Sequence, residues 1–356
     1  MAEVLPPTVV IVRPDTGDVT TDTEELTVMA VAQQVGMHPI TSMQLLLDGR
    51  PLGGRAGIKH FESGQRDVRE RFFVPLTAGT QHRIQVRADS AVSYGLSQDV
   101  RVTYQPRSNE RQLPSLYVLA MGVKDYQNDD LDLNYADRDA QRLEAAFKQY
   151  GKGLFRKVET KLIVNEDATQ RGILIGLNWL KKQMSQGDVG IVYYSGHGDK
   201  DSSDVFHLMP HDVETDLLSV TGIPDSQLKT MVGAINGRVL MVLDACNSGA
   251  AFKSPNNLTD DLIRDLVSDD FGITVMSSST GKELSQESSD DQGGFFTIAF
   301  VEGLSGKADA NGDGIIYSTE LANYVADRVK NLTNGQQHPV MRNPAGVPAF
   351  PLAKTK

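Results

Sequence analysis

From residue 116 onward, short uninterrupted apolar runs alternate with segments of helical period, and this alternation constrains the fold more than any other feature of the chain. LYVLAMGV (116–123) has no polar face to turn to water, so it reads as a strand covered on both sides, as in parallel sheets. DRDAQRLEAAFKQY (137–150) then sets Ala140, Leu143 and Phe147 on one helical stripe. VETKLIV, TQRGILIGLNWLKKQM, DVGIVYYS, a helix from about Pro224, RVLMVLDA, GITVMSS (272–278) and FFTIAFVEGL (295–304) repeat the pattern. This repetition predicts an α/β fold, an open and mostly parallel sheet flanked by helices, with ligands bound beyond the carboxyl ends of the strands.

Residues 8–106 obey a different period. TVVIVRP, ELTVMAVA, SMQLLLDG, VRERFFVPL, HRIQVRA and DVRVTYQ alternate apolar and polar residues, with Leu26, Val28, Ala30 and Ala32 on one face. Asp48-Gly49 and Ala78-Gly79 supply turns. Several short strands in this span predict a small all-β, immunoglobulin-like sandwich, although the segment has neither the Cys pair nor the Trp of a true immunoglobulin domain. QPRSNERQLP (105–114) is polar, holds two prolines and lacks periodicity. The expected organisation is a sandwich over 1–106, a linker over 107–114 and the α/β domain over 115–356.

The formal net charge of −11 disfavours nucleic acid or an anionic membrane as partner. No run approaches the ~18 apolar residues of a membrane span, and MAEVLPPTVV lacks the basic and apolar regions of a secretory signal. A cytoplasmic chain is expected.

One cysteine in 356 residues excludes an internal disulfide and a Cys-based zinc site. Cys246 lies in DACNSG (244–249), directly after the apolar run VLMVL, while IVYY runs into SGHGDKD (195–201). Two buried strands ending in such polar sequence open on the same sheet edge. There an imidazole, His197, can deprotonate a thiol, and the glycines beside both groups leave backbone amides open to an oxyanion. Taken alone, Cys246 reads more readily as a small buried hydrophobe than as a nucleophile, and most histidines are structural. His38, His60, His82, His207, His211 and His338 lack the Gly-flanked strand-end setting.

The pair SGHG and DACNSG, with Cys246 49 residues after His197, resembles the caspase-like cysteine peptidases, and most of all their metacaspase and bacterial orthocaspase branch. YVLAMGVKDYQNDDLDLNYADRDA, LMPHDVE and GGFFTIAFVEGL extend the resemblance over residues 115 to about 305. It implies a caspase-hemoglobinase fold and an endopeptidase in which Cys246 is the nucleophile, His197 its proton-transfer partner, and the amides of Gly198 and Cys246 the oxyanion donors. Asp244 stands where caspases that cleave after aspartate carry glutamine, and Asp139 matches the second pocket acid of the metacaspase pattern. An acid two residues before the nucleophile favours a cationic side chain, so protein or peptide substrates cut after Arg or Lys are expected. The plainer readings are a helix-start acid for Asp139 and a turn-capping acid for Asp244. Ala136 stands where many metacaspases carry a further cysteine. The family tendency implies a monomer; a protein ligand of the N-terminal domain is expected but unspecified. The rival function is a catalytically silent adaptor.

DANGDGIIYSTE (309–320) fits a twelve-position calcium loop, with Asp309, Asn311, Asp313, the Ile315 carbonyl and Glu320 as oxygen ligands for Ca2+. A plain Asn-Gly-Asp-Gly turn fits equally well. Ser305, Gly306 and Lys307 are expected to break the incoming helix. The acids Asp199, Asp201 and Asp204 form a second, looser calcium candidate or simply a solvated loop. The polar stretch KSPNNLTDDLIRD offers Lys253 and Arg264 for self-cleavage.

Overall fold

A computed structural model of the chain describes residues 4–77, 81–106, 113–244, 260–268, 271–279, 283, 285–288, 290, 293–344 and 347–355. The expected turn at Ala78-Gly79, most of the expected linker (107–112), Cys246 and Lys253 lie outside these described residues. Contacts divide the chain into two compact units, Met1–Leu113 with Asp269–Gly272 and Pro344–Pro348, and Pro114–Ser268 with Ile273–Asn343 and Ala349–Lys356.

The first unit is all-β. Thr8–Arg13, Glu25–Gln33 and Asp67–Pro75 form one antiparallel sheet. The other runs in the order Asp18–Thr21, Val100–Tyr104, Gln81–Ser90, Ile40–Leu47, Arg50–Pro51. Their inward residues share one core, including Val28, Ala30, Ala32, Val74, Ile84, Val86 and Val102, as alternation predicts. Asp48 and Gly49 both take positive φ, 52° and 83°, which makes the turn between Ile40–Leu47 and Arg50–Pro51. Asp48 is also a buried anchor, accepting from His82 Nδ1 at 2.9 Å and from the Arg83 amide at 2.8 Å.

In the second unit the sheet and its covering helices are β1 (Leu116–Gly122), α1 (Ala136–Tyr150), β2 (Val158–Val164), α2 (Gln170–Gln183), β3 (Val189–Ser195), α3 (Asp225–Gly233), β4 (Arg238–Asp244), α4 (Asp260–Val267), β5 (Thr274–Ser277), α5 (Phe295–Glu302), α6 (Ser318–Leu332) and β6 (Val340–Arg342). The strand order is β2-β1-β3-β4-β5-β6, parallel except for β6. Both faces are covered, which is why β1, β3 and β4 read as unbroken apolar runs. On one side Leu116, Val118, Ile191, Tyr193, Leu240 and Val242 pack with Ala140, Leu143 and Phe147 of α1, Phe296 and Phe300 of α5, and Leu321 and Val325 of α6. The intervening residues, such as Leu119 and Val192, are equally buried and point the other way, toward the side that α2 covers. Among the described residues no helix is long and apolar enough to cross a membrane.

Register fixes what lies at the rim. Gly122 pairs with Ser195, and Ser195 with Asp244, so the carboxyl ends of β1, β3 and β4 finish in one row. Gly122 is required there because a Cβ would come within 2.3 Å of the Ala136 carbonyl oxygen, at the first turn of α1. The expected helix break at Ser305–Lys307 narrows to Gly306, at φ 120°, inside a widened turn over Gly303–Lys307.

Phe300 is fully buried at the junction of α1, α5 and the sheet, with its ring 6.1 Å from that of Phe147. Phe300→Ala should cost about 3–5 kcal/mol in urea unfolding monitored by circular dichroism. A loss below about 1 kcal/mol would show that this contact does not hold the layer together.

Candidate active site

His197 follows the end of β3 by two residues and is 3% exposed. Its imidazole Nε2 lies 2.8 Å from the Leu131 carbonyl oxygen. A carbonyl can only accept, so Nε2 carries the proton and Nδ1 is the acceptor nitrogen of the neutral ring. Burial lowers the affinity of the ring for a second proton, opposed in part by the Leu131 carbonyl. The neutral base form is thus favoured.

The backbone beside the ring is held equally firmly. The His197 amide donates to Tyr126 Oη at 2.8 Å, and the single proton of Tyr194 Oη lies between the His197 and Met209 carbonyls, 2.9 and 2.7 Å away. A Cβ on Gly196 would lie 2.7 Å from Tyr194 Oη and 3.0 Å from Tyr126 Oη, so only glycine admits both hydroxyls. Tyr126 and Leu131 belong to one pinned loop. Asn165 Oδ1 accepts from the Lys124 and Asp125 amides, the Tyr126 amide donates to Asp132, and the Leu133 amide returns to the Lys124 carbonyl. Gly198 starts a hairpin, Gly198–Lys200 against Phe206–Leu208. The His197 carbonyl accepts from Met209 across that hairpin at 3.0 Å, so the alternation of an extended chain directs the Gly198 amide to the opposite edge.

Asp139 and Asp244 meet in one pocket, lined also by Leu133, Ser195, Ser285, Glu287 and Gly294. Asp139, in the first turn of α1, accepts from the Gly294 amide at 2.9 Å through Oδ2, while its buried Oδ1 has no hydrogen-bond partner among the described residues. Burial, then the neighbouring Asp244, pushes the Asp139 carboxyl up to about 8. Asp244 closes β4 and is 8% exposed; its oxygens accept from Ser285 Oγ at 3.0 Å and Thr297 Oγ1 at 3.4 Å. Burial raises it too, opposed by those hydroxyls and Ser278. A Cβ built on Gly294 would sit 3.1 Å from one Asp139 oxygen and 3.4 Å from one Asp244 oxygen. Glu287 adds a third, exposed carboxylate, held by Asn134 Nδ2 at 2.7 Å. Two buried acids, one with an orphaned oxygen and with Arg142 near enough to act on it, make a pocket whose chemistry suits positive charge, which their helix-start and strand-end positions do not by themselves require.

The expected calcium ligands lie elsewhere. Asp309 accepts from the Gly312 and Gly314 amides at 2.8 and 2.9 Å, Asn311 bonds Asp313, and the Glu320 carboxylate caps α6 through the Tyr317 amide at 3.0 Å. Ile316 pairs with Ala353, so a strand from the end of the chain occupies the side where a second calcium loop would pair. The oxygen donors suit a hard cation, but the twelfth is turned to the helix cap. No cluster of three His, Cys, Asp or Glu placed to share an ion occurs among the described residues. Asp201 is spent on the Ser203 and Val205 amides, and Asp204 pairs with Lys200 at 3.0 Å. Arg264, exposed on α4, pairs with Asp261 at 2.9 Å.

Tyr126, Leu131, Gly294 and Thr297 lie within segments that carry the resemblance, but no spacing marks them individually, and Ser285 and Glu287 lie outside those segments. Each comes from a loop or helix start whose neighbours are set by tertiary contacts; the one hint was polar sequence directly after a buried strand.

The raised Asp139 carboxyl links stability to pH. The folded state holds its proton up to about 8 whereas the unfolded value is 3.8. Its contribution is full below the unfolded value and is lost as pH rises through the folded one. Wild type should therefore lose more stability than Asp139→Asn between about pH 5 and about pH 9 in urea unfolding. Equal losses would remove Asp139 as the source.

A family model described as "Caspase domain" matches residues 116–345. Metacaspase-1 of Plasmodium falciparum (isolate 3D7) is 26% identical over 243 residues, covering 61% of this chain and 38% of that protein, so the alignment spans well under half the length of this relative. Among solved structures, protein GSU0716 from Geobacter sulfurreducens matches with a TM-score of 0.48 at 17% identity, over 65% of this chain and 94% of the other. Pro-Sf-caspase-1 matches with a TM-score of 0.36 at 12% identity, over 65% of this chain and 92% of the other. With the family model covering well over half of its residues, the chain belongs to the caspase-domain family of cysteine peptidases.

Proposed function

We propose that the chain is a cysteine endopeptidase that cuts after Arg or Lys, with Cys246 and His197 as its dyad. The observation that carries this reading is the register of Ser195 with Asp244, which closes the rim at the pocket of buried acids; in the sequence His197 and Cys246 each follow that pair by two residues. The equal two-residue step past a paired strand position is what supports joining Cys246 to His197 as a dyad.

In this reading Nδ1 of His197 takes the thiol proton as sulfur attacks the scissile carbonyl carbon. The Gly198 and Cys246 amides receive the oxyanion. The C–N bond then breaks, the imidazolium gives its proton to the departing amine, and the acyl group remains on sulfur. Water, deprotonated by the same ring, attacks the thioester; the thiolate leaves and the carboxylic acid is released. A guanidinium or ammonium in the pocket replaces the proton of Asp139 and satisfies its orphaned oxygen. Affinity for the basic side chain accordingly rises with pH toward about 8 as Asp139 ionises.

The test is turnover of fluorogenic peptides ending in Arg, Lys or Asp by the pure protein, with and without millimolar calcium and with Cys246→Ala as control. Arg and Lys peptides should be cut, Asp peptides not, and Cys246→Ala should be silent. Asp244→Asn should lower kcat/KM for Arg peptides about 100-fold or more, because one partner of a buried ion pair is gone. Preferential turnover of the Asp peptide would overturn the pocket assignment, and no turnover of any peptide together with no alkylation of Cys246 would favour an adaptor. Calcium enters the proposal only as an effector; at 309–320 it would require Glu320 to leave the Tyr317 amide and turn into the loop.

Self-cleavage is part of the proposal at Lys253 rather than Arg264, because the bond after Arg264 lies within α4 and cannot enter an active site extended without unfolding that helix. Wild type should split near Lys253 on a gel while Cys246→Ala stays whole; intact wild type after prolonged incubation would remove this part.

A further inference from the structure

The wall of the acid pocket is held from behind by one buried amide. Helix α6 ends at Leu332, and Asn334 and Gly335 follow in positive φ, 52° and 77°, which turns the chain back into the unit. Gln337 is thereby fully buried, with its own amide donating to Thr333 Oγ1 at 3.1 Å. Its Oε1 accepts from the Gln286 amide at 3.0 Å, and its Nε2 donates to the Ser278 carbonyl at 2.8 Å and toward Ser285 Oγ at 3.5 Å. An amide N–H faces one side and a carbonyl the other, so the Gln337 head group has a single satisfactory orientation.

These contacts lead to the acids. Ser285 Oγ lies 3.0 Å from Asp244 Oδ1 and 2.7 Å from Ser278 Oγ. A hydroxyl has one proton; with that proton given to Asp244, which Ser278 also hydrogen-bonds, Ser285 accepts from the Gln337 Nε2. The donors point in one direction, from Gln337 through Ser285 to the carboxylate, and oppose the effect of burial on Asp244. The same glutamine fixes Gln286, whose neighbour Glu287 lines the pocket and whose carbonyl accepts from the Phe295 amide at the start of α5.

We propose that Gln337 is a positioning residue for recognition of the basic side chain: it sets the Ser285–Glu287 wall against Asp244 from outside the pocket. Gln337 does not line the pocket, and its role is to hold the residues that do. The inference rests on the reading of the acid pocket as the seat of Arg or Lys.

The experiment compares wild type, Gln337→Leu and Gln337→Glu by KM and kcat on an Arg fluorogenic peptide, competitive inhibition by benzamidine, and the rate of Cys246 alkylation by iodoacetamide, which needs no basic group. Gln337→Leu should raise KM and the benzamidine inhibition constant about tenfold, the equivalent of one lost buried hydrogen bond, with kcat and alkylation within about twofold of wild type. Gln337→Glu keeps the shape, and its neutral acid can accept from Gln286 and donate to Ser278. Its benzamidine affinity relative to wild type should therefore be near one at acidic pH and fall as pH rises. Should Gln337→Leu fail to fold, the pH course of Gln337→Glu decides. Unchanged benzamidine binding in a folded Gln337→Leu, or alkylation falling in step with it, would overturn the proposal. A pH-independent ratio for Gln337→Glu would do the same. Failure of wild type to cut Arg or Lys peptides would instead remove the reading beneath it.

Discussion

Parallel register across three neighbouring strands is the constraint on which the rest of this structure depends. Because Gly122, Ser195 and Asp244 end in one row, His197 stands two residues past a strand end that pairs directly with Asp244. No flexible search brings His197 to Asp244; backbone hydrogen bonds of the sheet have already done so. The pleat that buries Val192 on one side and Tyr193 on the other also sets which residues point along the rim.

The rim is electrostatically divided. At His197, burial favours the neutral ring, and a carbonyl fixes which nitrogen carries the proton. A few residues away the same burial acts on two carboxyls and favours their protonated forms. One physical cause, removal of water, thus favours the neutral form of the imidazole and of both carboxyls. The helix start at Asp139 and the hydroxyls around Asp244 temper the cost of holding two acids together.

The supporting shell has a different character from the strands. Tyr126, Leu131, Ser285 and Gln337 reach the site from loops, each fixed by side-chain hydrogen bonds to distant parts of the unit, as with Asn165 for the Lys124–Tyr126 segment. Such residues have no periodicity to betray them. Gln337 sits behind a helix-stopping Asn-Gly turn whose sequence marks the end of α6 but not the destination of the residues after it. In the twelve-residue acidic loop, spacing names the ligands, while tertiary contacts add a helix-capping bond from Glu320 and a strand pairing of Ile316 with Ala353.

By itself the sequence determined the elements and their burial. Apolar runs at 116–123, 189–194 and 239–243 could only be doubly covered strands, Ala140, Leu143 and Phe147 could only be an inward helical stripe, and SGHG and DACNSG marked the ends worth watching. These are local properties, since period and side-chain hydrophobicity act over a few neighbours. Tertiary structure alone decided that Asp139 and Asp244 share one pocket from positions 105 residues apart, that Nε2 rather than Nδ1 of His197 carries the proton, and that Gln337 supports the wall. Proton affinity and hydrogen-bond direction depend on which groups are near in space and on how much water they exclude, and neither quantity exists until the chain has folded.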